Sequence, residues 1–238
     1  MSKCKYKRVL VKLSGESFCK PGGFGIEGEA LEPIARRIAE LCKLGPQISV
    51  VVGGGNFLRG ENFSKNSSIP RNTADYMGML ATIIHACALQ ETLEKLGQPT
   101  RVLSAIEVAA ICEPFIRRRA LHHLEKGRVA ILAGGTGNPF FTTDTCAALR
   151  ASELDCDLLI KATKVDGVFS DDPKKNPDAE LFEAISYDDV LRKNLRIMDL
   201  SAISLCRDNN IVINVLNIFN VGNLVKAVCG EKVGTLIS

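Results

Sequence analysis

Residues 133–145 read Ala-Gly-Gly-Thr-Gly-Asn-Pro-Phe-Phe-Thr-Thr-Asp-Thr, a run of glycines and hydroxyls that closes on a carboxylate. Glycine lets backbone N–H groups come close to an oxyanion, and a helix N-terminus offers unpaired N–H groups with a favourable dipole. The apolar run 129–132 before this segment reads as a buried strand, and residues 146–150 after it read as a helix. The segment therefore has the ingredients of an anion site. Thr143 or Asp144 is expected to cap the helix, worth about 1 kcal/mol, a role compatible with catalysis.

Two upstream segments repeat the arrangement. Lys12-Leu13-Ser14-Gly15 closes the opening strand. Its lysine can reach over the sheet edge while the Ser14 and Gly15 amides face an anion, so it could neutralise charge on a phosphoryl group in transfer. Taken alone, an edge lysine pointing to solvent is the simpler reading. Gly53-Gly54-Gly55 follows the second strand, and three glycines in a row cost backbone entropy that calls for a reason. Arg59, four residues on, can offer a bidentate fork to phosphate oxygens.

Other chemistries lack their residues. There is no G-x-x-x-x-G-K-[ST], Gly135-Thr136-Gly137 lacks the third glycine of a dinucleotide fingerprint, and no G-x-S-x-G occurs. His85, His122 and His123 fall in helical patterns, and the pair 122–123 reads as a surface or interfacial pair rather than a metal site. Nine cysteines are scattered with no C-x-x-C, so neither zinc nor a disulfide framework is indicated and a reducing, cytoplasmic setting is expected. A net charge of +3 with 5% aromatics argues against a nucleic-acid partner. No secretory signal or membrane-length apolar run is expected, hence no membrane partner. The run Arg117-Arg118-Arg119 reads as a solvated helix face, with an effector or subunit contact as the other possibility.

These residues need elements to hold them. Apolar runs at 9–13, 48–52, 101–103, 129–133, 158–160 and 211–215 predict strands covered on both faces, as in a parallel sheet. Leu31, Ile34, Ala35 and Ile38 predict one helix by their three-and-four spacing, and Met77, Leu80, Ala81 and Ile84 a second. Residues 201–210 predict a third. Strands alternating with helices give an α/β fold with helices on both faces. Residues 164–186 break the rhythm with turn chemistry, and short antiparallel strands at 167–169 and 180–182 predict a hairpin excursion over the carboxyl edge of the sheet. No linker divides the 238 residues, so 1–238 reads as a single domain.

Taken together the segments resemble the amino acid kinase family, and within it the bacterial uridylate kinases. The resemblance rests on Lys12-Leu13-Ser14-Gly15-Glu16, on 53–60 with its tri-glycine and Arg59, on Ala74-Asp75-Tyr76-Met77-Gly78-Met79-Leu80-Ala81-Thr82, on 137–144, on Lys161-Ala162-Thr163-Lys164-Val165-Asp166-Gly167-Val168-Phe169 and on Gly234-Thr235-Leu236-Ile237. It implies a three-layer αβα sandwich with a mostly parallel central sheet, and transfer of a phosphoryl group from ATP, with Mg²⁺, to UMP. By the same resemblance Lys12, Arg59, Asp144 and Asp199 are catalytic, the metal not being held mainly by protein. ATP would meet Lys12, Leu13, Ser14, Gly15, Gly55 and Arg59 at its phosphates, and Thr163, Phe169 and Asp172 at adenosine. UMP would meet Gly54, Asp75 and the run Thr136, Gly137, Asn138, Pro139, Phe140, Phe141, Thr142 and Thr143. Asp75 would accept from the ribose hydroxyls, and Asn138 with neighbouring backbone would read the uracil edge.

The resemblance further implies a homohexamer activated by GTP and inhibited by UTP. Lys20, Pro21, Gly22, Gly23, Phe24 and Gly25 match the region linked to activation, with Arg101 and Arg128 as further basic contacts. Two rivals differ in the residues they need. A kinase for a carboxylate or carbamate would not call for Asp75 and the 136–143 pattern. A non-catalytic nucleotide-binding storage or regulatory oligomer on the same fold would be signalled by loss of Lys12, Arg59 or Asp144, and all three are present.

Overall fold

Five of the six residues of strand β1, Arg8–Leu13, are buried, which places it at the centre of a sheet rather than at an edge. The computed structural model describes residues 4–171, 173, 175–176, 178–195 and 197–238. Its other strands are β2 (Gln47–Val52), β3 (Thr100–Ser104), β4 (Glu113–Pro114), β5 (Val129–Ala133), β6 (Leu158–Thr163), β7 (Ala184–Ile185), β8 (Val212–Asn217) and β9 (Thr235–Ile237). Among the described residues they form one sheet in the order β4-β3-β5-β2-β1-β6-β8-β9-β7, parallel at every pairing except β8 with β9.

The helices are α1 (Gly28–Cys42), α2 (Gly60–Lys65), α3 (Arg71–Lys95), α4 (Arg117–Glu125), α5 (Thr143–Glu153), α6 (Tyr187–Arg192), α7 (Leu200–Asp208) and α8 (Asn223–Cys229). Successive strand residues face opposite sides of a sheet. Val9, Val11 and Leu13 accordingly enter one core with Ile34 of α1, Leu89 of α3 and Leu224 of α8. Leu10 enters the other with Leu124 of α4, Ala147 of α5, Val190 of α6 and Ile203 of α7. The result is the expected αβα sandwich, with β1 flanked by β2 on one side and β6 on the other. Chain order reverses there, and such a switch point leaves a crevice at the carboxyl ends of the strands.

The predicted strands and helices are present, most with wider bounds; the strand at 129–133 matches, that expected at 211–215 is shifted to Val212–Asn217, and the helix expected at 201–210 is Leu200–Asp208. The short elements β4, β7, β9, α2, α6 and α8 have too few residues to show a period, and the sequence reading does not place them. The hairpin expected at 164–186 is reduced to a single antiparallel bridge, Phe169 with Leu181, framed by the Ser170 N–H to Glu180 carbonyl and Phe182 N–H to Val168 carbonyl bonds, each 2.9 Å. Turn residues dominate between those points and leave too few extended residues for a ladder. Bonds from Asn217 and Asn220 to Asp166 tie the excursion at the surface, and its buried anchor is Thr235 of β9. Its hydroxyl accepts from the Val168 N–H at 2.8 Å and donates to the Phe182 carbonyl at 2.5 Å.

A buried donor or acceptor left without its partner costs about 1–3 kcal/mol. Thr235→Val keeps the volume and strips both bonds, so urea unfolding should show a loss of that size. Amide exchange should quicken at 167–182 before the rest of the chain; a uniform change would count against this anchoring.

Candidate active site

Lys12 and Lys161 are register partners on the neighbouring parallel strands β1 and β6. Register partners point to the same face, so both ammonium groups turn to the side covered by α5. The first turn of α5 carries Asp144. Lys12 Nζ stands 2.7 Å from Asp144 Oδ1, an ion pair without hydrogen-bond alignment. Lys161 Nζ donates to Asp144 Oδ2, also at 2.7 Å, and to the Ile197 carbonyl. All three side chains are largely buried, at 10%, 17% and 14% exposure for Lys12, Lys161 and Asp144. Lys12 is thus no solvent-pointing edge residue.

Burial would raise the Asp144 carboxyl, but the two ammonium groups outweigh it and hold the group below its ordinary 3.8. Burial pushes the Lys161 ammonium down from 10.5; Asp144 pulls it back up, and Lys12 adds repulsion. Taken alone, the two lysines and Asp144 carry one surplus positive charge, and Asp199, which also favours the Lys161 ammonium, partly offsets it. A desolvated place of this kind is completed by an anionic ligand.

The cluster lies in a cleft of about 550 Å³ lined by Ser14, Gly15, Gly53, Gly54, Gly55 and Arg59, together with Asp75, Phe141, Thr142, Thr143 and Asp199. Lys161 also lines a neighbouring cavity of about 790 Å³, which holds Thr163 and Phe169. Gly54 sits under α3 so closely that an added Cβ would stand 2.7 Å from the Gly78 carbonyl. At the end of β5, Gly134, Gly135 and Gly137 all have positive φ (74°, 57° and 84°), which glycine adopts without steric cost. The Gly134 N–H donates to Thr82 Oγ1 of α3 at 2.8 Å.

Several predicted residues have partners that the sequence does not reveal. Thr142 caps α5, accepting from the Asp144 and Thr145 N–H groups; Thr143 and Asp144 lie inside the helix, so the expected cap moves back. Asp199 accepts from the hydroxyls of Thr142 and Thr145, the latter at 2.9 Å, and so ties the start of α5 to the start of α7. Asp75 accepts from Arg71 Nε at 2.9 Å through both oxygens and from the Phe140 N–H at 2.9 Å. Arg59 pairs with Glu16 at the exposed mouth of the cleft.

Leu13, Thr136, Gly137, Asn138, Pro139 and Phe140 do not line the cleft. Asp172 lies outside the described residues. Lys20 pairs with Glu29 at 2.9 Å and Phe24 is largely exposed, while Gly25 is buried. Arg101 pairs with Glu94 at 2.9 Å, and Arg128 contacts His123 at 3.0 Å. Both arginines sit at the amino ends of their strands, across the sheet from the cleft. His123 is buried against Glu113, so the 122–123 pair is not a plain surface pair. Arg117 pairs with Asp155 at 2.5 Å, as an anchored rather than freely solvated residue.

Lys161 is the main residue that sequence reasoning leaves without a role. The usable signal is a lysine interrupting a buried apolar strand, at the same height as Lys12 once the two strands pair. Among the described residues no three His, Cys, Asp or Glu side chains converge as a metal cage. A magnesium ion there would draw most of its ligands from phosphate oxygens and water, as such ions commonly do.

A mostly parallel αβα sandwich whose glycine-walled cleft holds two buried lysines at its switch point defines a phosphate-handling protein of the phosphotransferase class. A model of the amino acid kinase family matches residues 7–217, and the chain belongs to that family. It is 51% identical over 233 residues to the chloroplastic uridylate kinase PUMPKIN of Arabidopsis thaliana, covering 98% of this chain and 69% of that one. It superposes on the UMP kinase of Bacillus anthracis with a TM-score of 0.95 at 41% identity, covering 98% and 96% of the two chains. For the UMP kinase of Ureaplasma parvum the values are 0.91 and 36%, over 98% and 99%.

Asp144→Asn leaves two buried ammonium groups uncompensated, and breaking such a pair costs about 3–5 kcal/mol. Because the folded-state pKa is depressed, this contribution is present above the unfolded value near 3.8 and is lost as pH falls through the folded value. Denaturation of the wild type and variant should differ by that amount at neutral pH and converge in acid. A difference under about 1 kcal/mol at neutral pH contradicts this account.

Proposed function

We infer that the protein is a UMP kinase that transfers the γ-phosphoryl group of ATP to UMP, giving UDP and ADP in pyrimidine nucleotide biosynthesis. The observation that carries this reading is the Lys12–Asp144–Lys161 cluster in the cleft beside Asp75 and the 141–143 turn, with Lys161 also lining the cavity beside Thr163 and Phe169. Phosphoryl transfer between two anions depends on charge neutralisation, in-line placement and exclusion of water more than on a strong base. A UMP phosphate oxygen is already an ionised nucleophile, so no histidine is needed.

In this reading Lys12 neutralises charge on the group in flight, Lys161 supports it from the adenosine side, and Asp144 holds both ammonium groups in place. The amides of Gly54 and Gly55 face acceptor and donor phosphates, with Ser14 and Gly15 on the donor side and Arg59 free to exchange Glu16 for phosphate. Asp75 takes the UMP ribose, and residues 136–143 form the acceptor loop. Magnesium bound with ATP supplies further charge neutralisation, with Asp144 and Asp199 the carboxylates that would face it.

A homohexamer, activation by GTP through residues 20–25 and inhibition by UTP belong to the same proposal. Exposed Tyr76, Leu80 and Ile84, four residues apart on α3, support a subunit contact along that helix. No helix among the described residues is long and apolar enough to cross a membrane. A cytoplasmic location is proposed from the absence of disulfides among nine cysteines.

ADP release from ATP should be fast with UMP and slow with CMP, dUMP and acetylglutamate; no release with UMP, or faster release with acetylglutamate, overturns the assignment. Lys12→Ala should lower turnover about 10²–10³-fold with modest loss of binding. Asp75→Asn should raise the KM for UMP more than that for ATP, and equal effects on both would remove Asp75 from the acceptor site.

A further inference from the structure

His85 is a fully buried imidazole of α3 that plays no part in the chemistry above. Its Nδ1 lies 2.7 Å from the carbonyl oxygen of Gly53, the first residue of the tri-glycine. A carbonyl only accepts, so Nδ1 carries the proton and donates. The ring stacks on Phe18 with centroids 4.4 Å apart and planes at 24°, and lies 5.0 Å from the ring of Phe57. Phe18 ends the short turn Gly15–Phe18 that follows Ser14, while Phe57 belongs to the loop after the tri-glycine. One side chain thus touches the segments that follow β1 and β2, two of the three glycine-bearing strand ends that wall the cleft.

The contacts extend to a third segment. Phe57 meets Phe24 edge-on at 5.2 Å, and Asn56 Nδ2 donates to the Gly25 carbonyl at 2.6 Å. The second ring nitrogen, Nε2, is buried and makes no well-aligned hydrogen bond among the described residues, although the Gly25 carbonyl lies close enough to favour the charged ring. A neutral ring tolerates this better than a charged one, and burial does push the imidazole below its ordinary 6.5. A tri-glycine has no side chains of its own to restrict it. Its placement must come from hydrogen bonds to its backbone: the Gly53 N–H donates to the Leu13 carbonyl, the Gly54 carbonyl accepts from the Phe57 and Leu58 N–H groups of its own loop, and His85 supplies the side-chain bond, to the Gly53 carbonyl.

We propose that His85 is a positioning residue for phosphoryl transfer: it fixes the Gly53–Gly55 loop through the Gly53 carbonyl and links that loop to residues 20–25 through the Phe57 and Asn56 contacts. The proposal rests on the reading of the tri-glycine as a phosphate cradle. A displaced cradle misplaces the reacting groups, and small misplacements can lower turnover by about 10²-fold.

Two variants separate the hydrogen bond from the packing. His85→Phe keeps the stacked ring and removes the donor; His85→Asn keeps an amide donor where Nδ1 stands and removes the outer ring. We expect kcat to fall about 10- to 100-fold in His85→Phe with KM for ATP and UMP within a few-fold of wild type. His85→Asn should keep kcat within a few-fold even where its melting temperature drops. In the nucleotide-free protein, amide exchange at 53–60 should quicken in His85→Phe and stay near wild type in His85→Asn. If the phenylalanine variant does not accumulate, His85→Ala against His85→Asn gives the same comparison. Turnover that follows melting temperature alike in all variants, or unchanged turnover and exchange in His85→Phe, overturns the proposal. Wild-type protein inert toward UMP would refute the kinase reading, while the exchange arm would still test the role of His85.

Discussion

Everything at the cleft depends on one carboxylate shared by two lysines. Asp144 pairs with both Lys12 and Lys161 and so offsets the cost of holding two ammonium groups adjacent in a desolvated place. The triad alone is one positive charge in excess, and the nearby Asp199 carboxylate helps to offset it. Asp144 is held in place because the start of α5 is itself fastened, by the Thr142 cap and by Asp199 accepting from Thr142 and Thr145. The hydroxyl-rich end of the 133–145 segment therefore serves the lysines before it serves any ligand.

The same economy governs the glycine-rich walls. Gly54 allows α3 to approach the end of β2, and Thr82 and His85 of that helix then hold Gly134 and Gly53 by single hydrogen bonds. α3 thus acts as the spine behind both loops, and Asp75 on its first turns reaches the Phe140 amide in front. Backbone groups placed by a rigid helix need little reorganisation when charge shifts, which is what stabilising a transferring phosphoryl group requires.

Much of this was legible in the sequence. The apolar runs at 9–13 and 129–133 and the three-and-four spacing at 31–38 predicted buried parallel strands and a covering helix, and all are present. Lys12, the tri-glycine, Arg59 and Asp144 stand out by residue type and spacing and Asp75 by the family resemblance, and all line one cleft. Less legible was the 164–186 excursion, where short turn-rich stretches carry no period and a buried threonine nearly seventy residues away does the anchoring. The cap of α5 was misplaced by one or two residues because three consecutive residues, Thr142, Thr143 and Asp144, are all good caps.

Residue type and spacing by themselves determined that strand ends carrying lysine and glycine would meet a helix start carrying hydroxyls and a carboxylate, because strand and helix periods and the freedom of glycine are local properties. They did not determine which partners those groups would take. That Lys161 stands level with Lys12 follows from the register of β1 against β6, 149 residues apart. That His85 lies under Gly53, and that Asp75 faces Arg71 and Phe140 together, follows from how α3 packs across two loops. Register and packing are set by the summed burial of the whole sheet, so only the tertiary structure decided them.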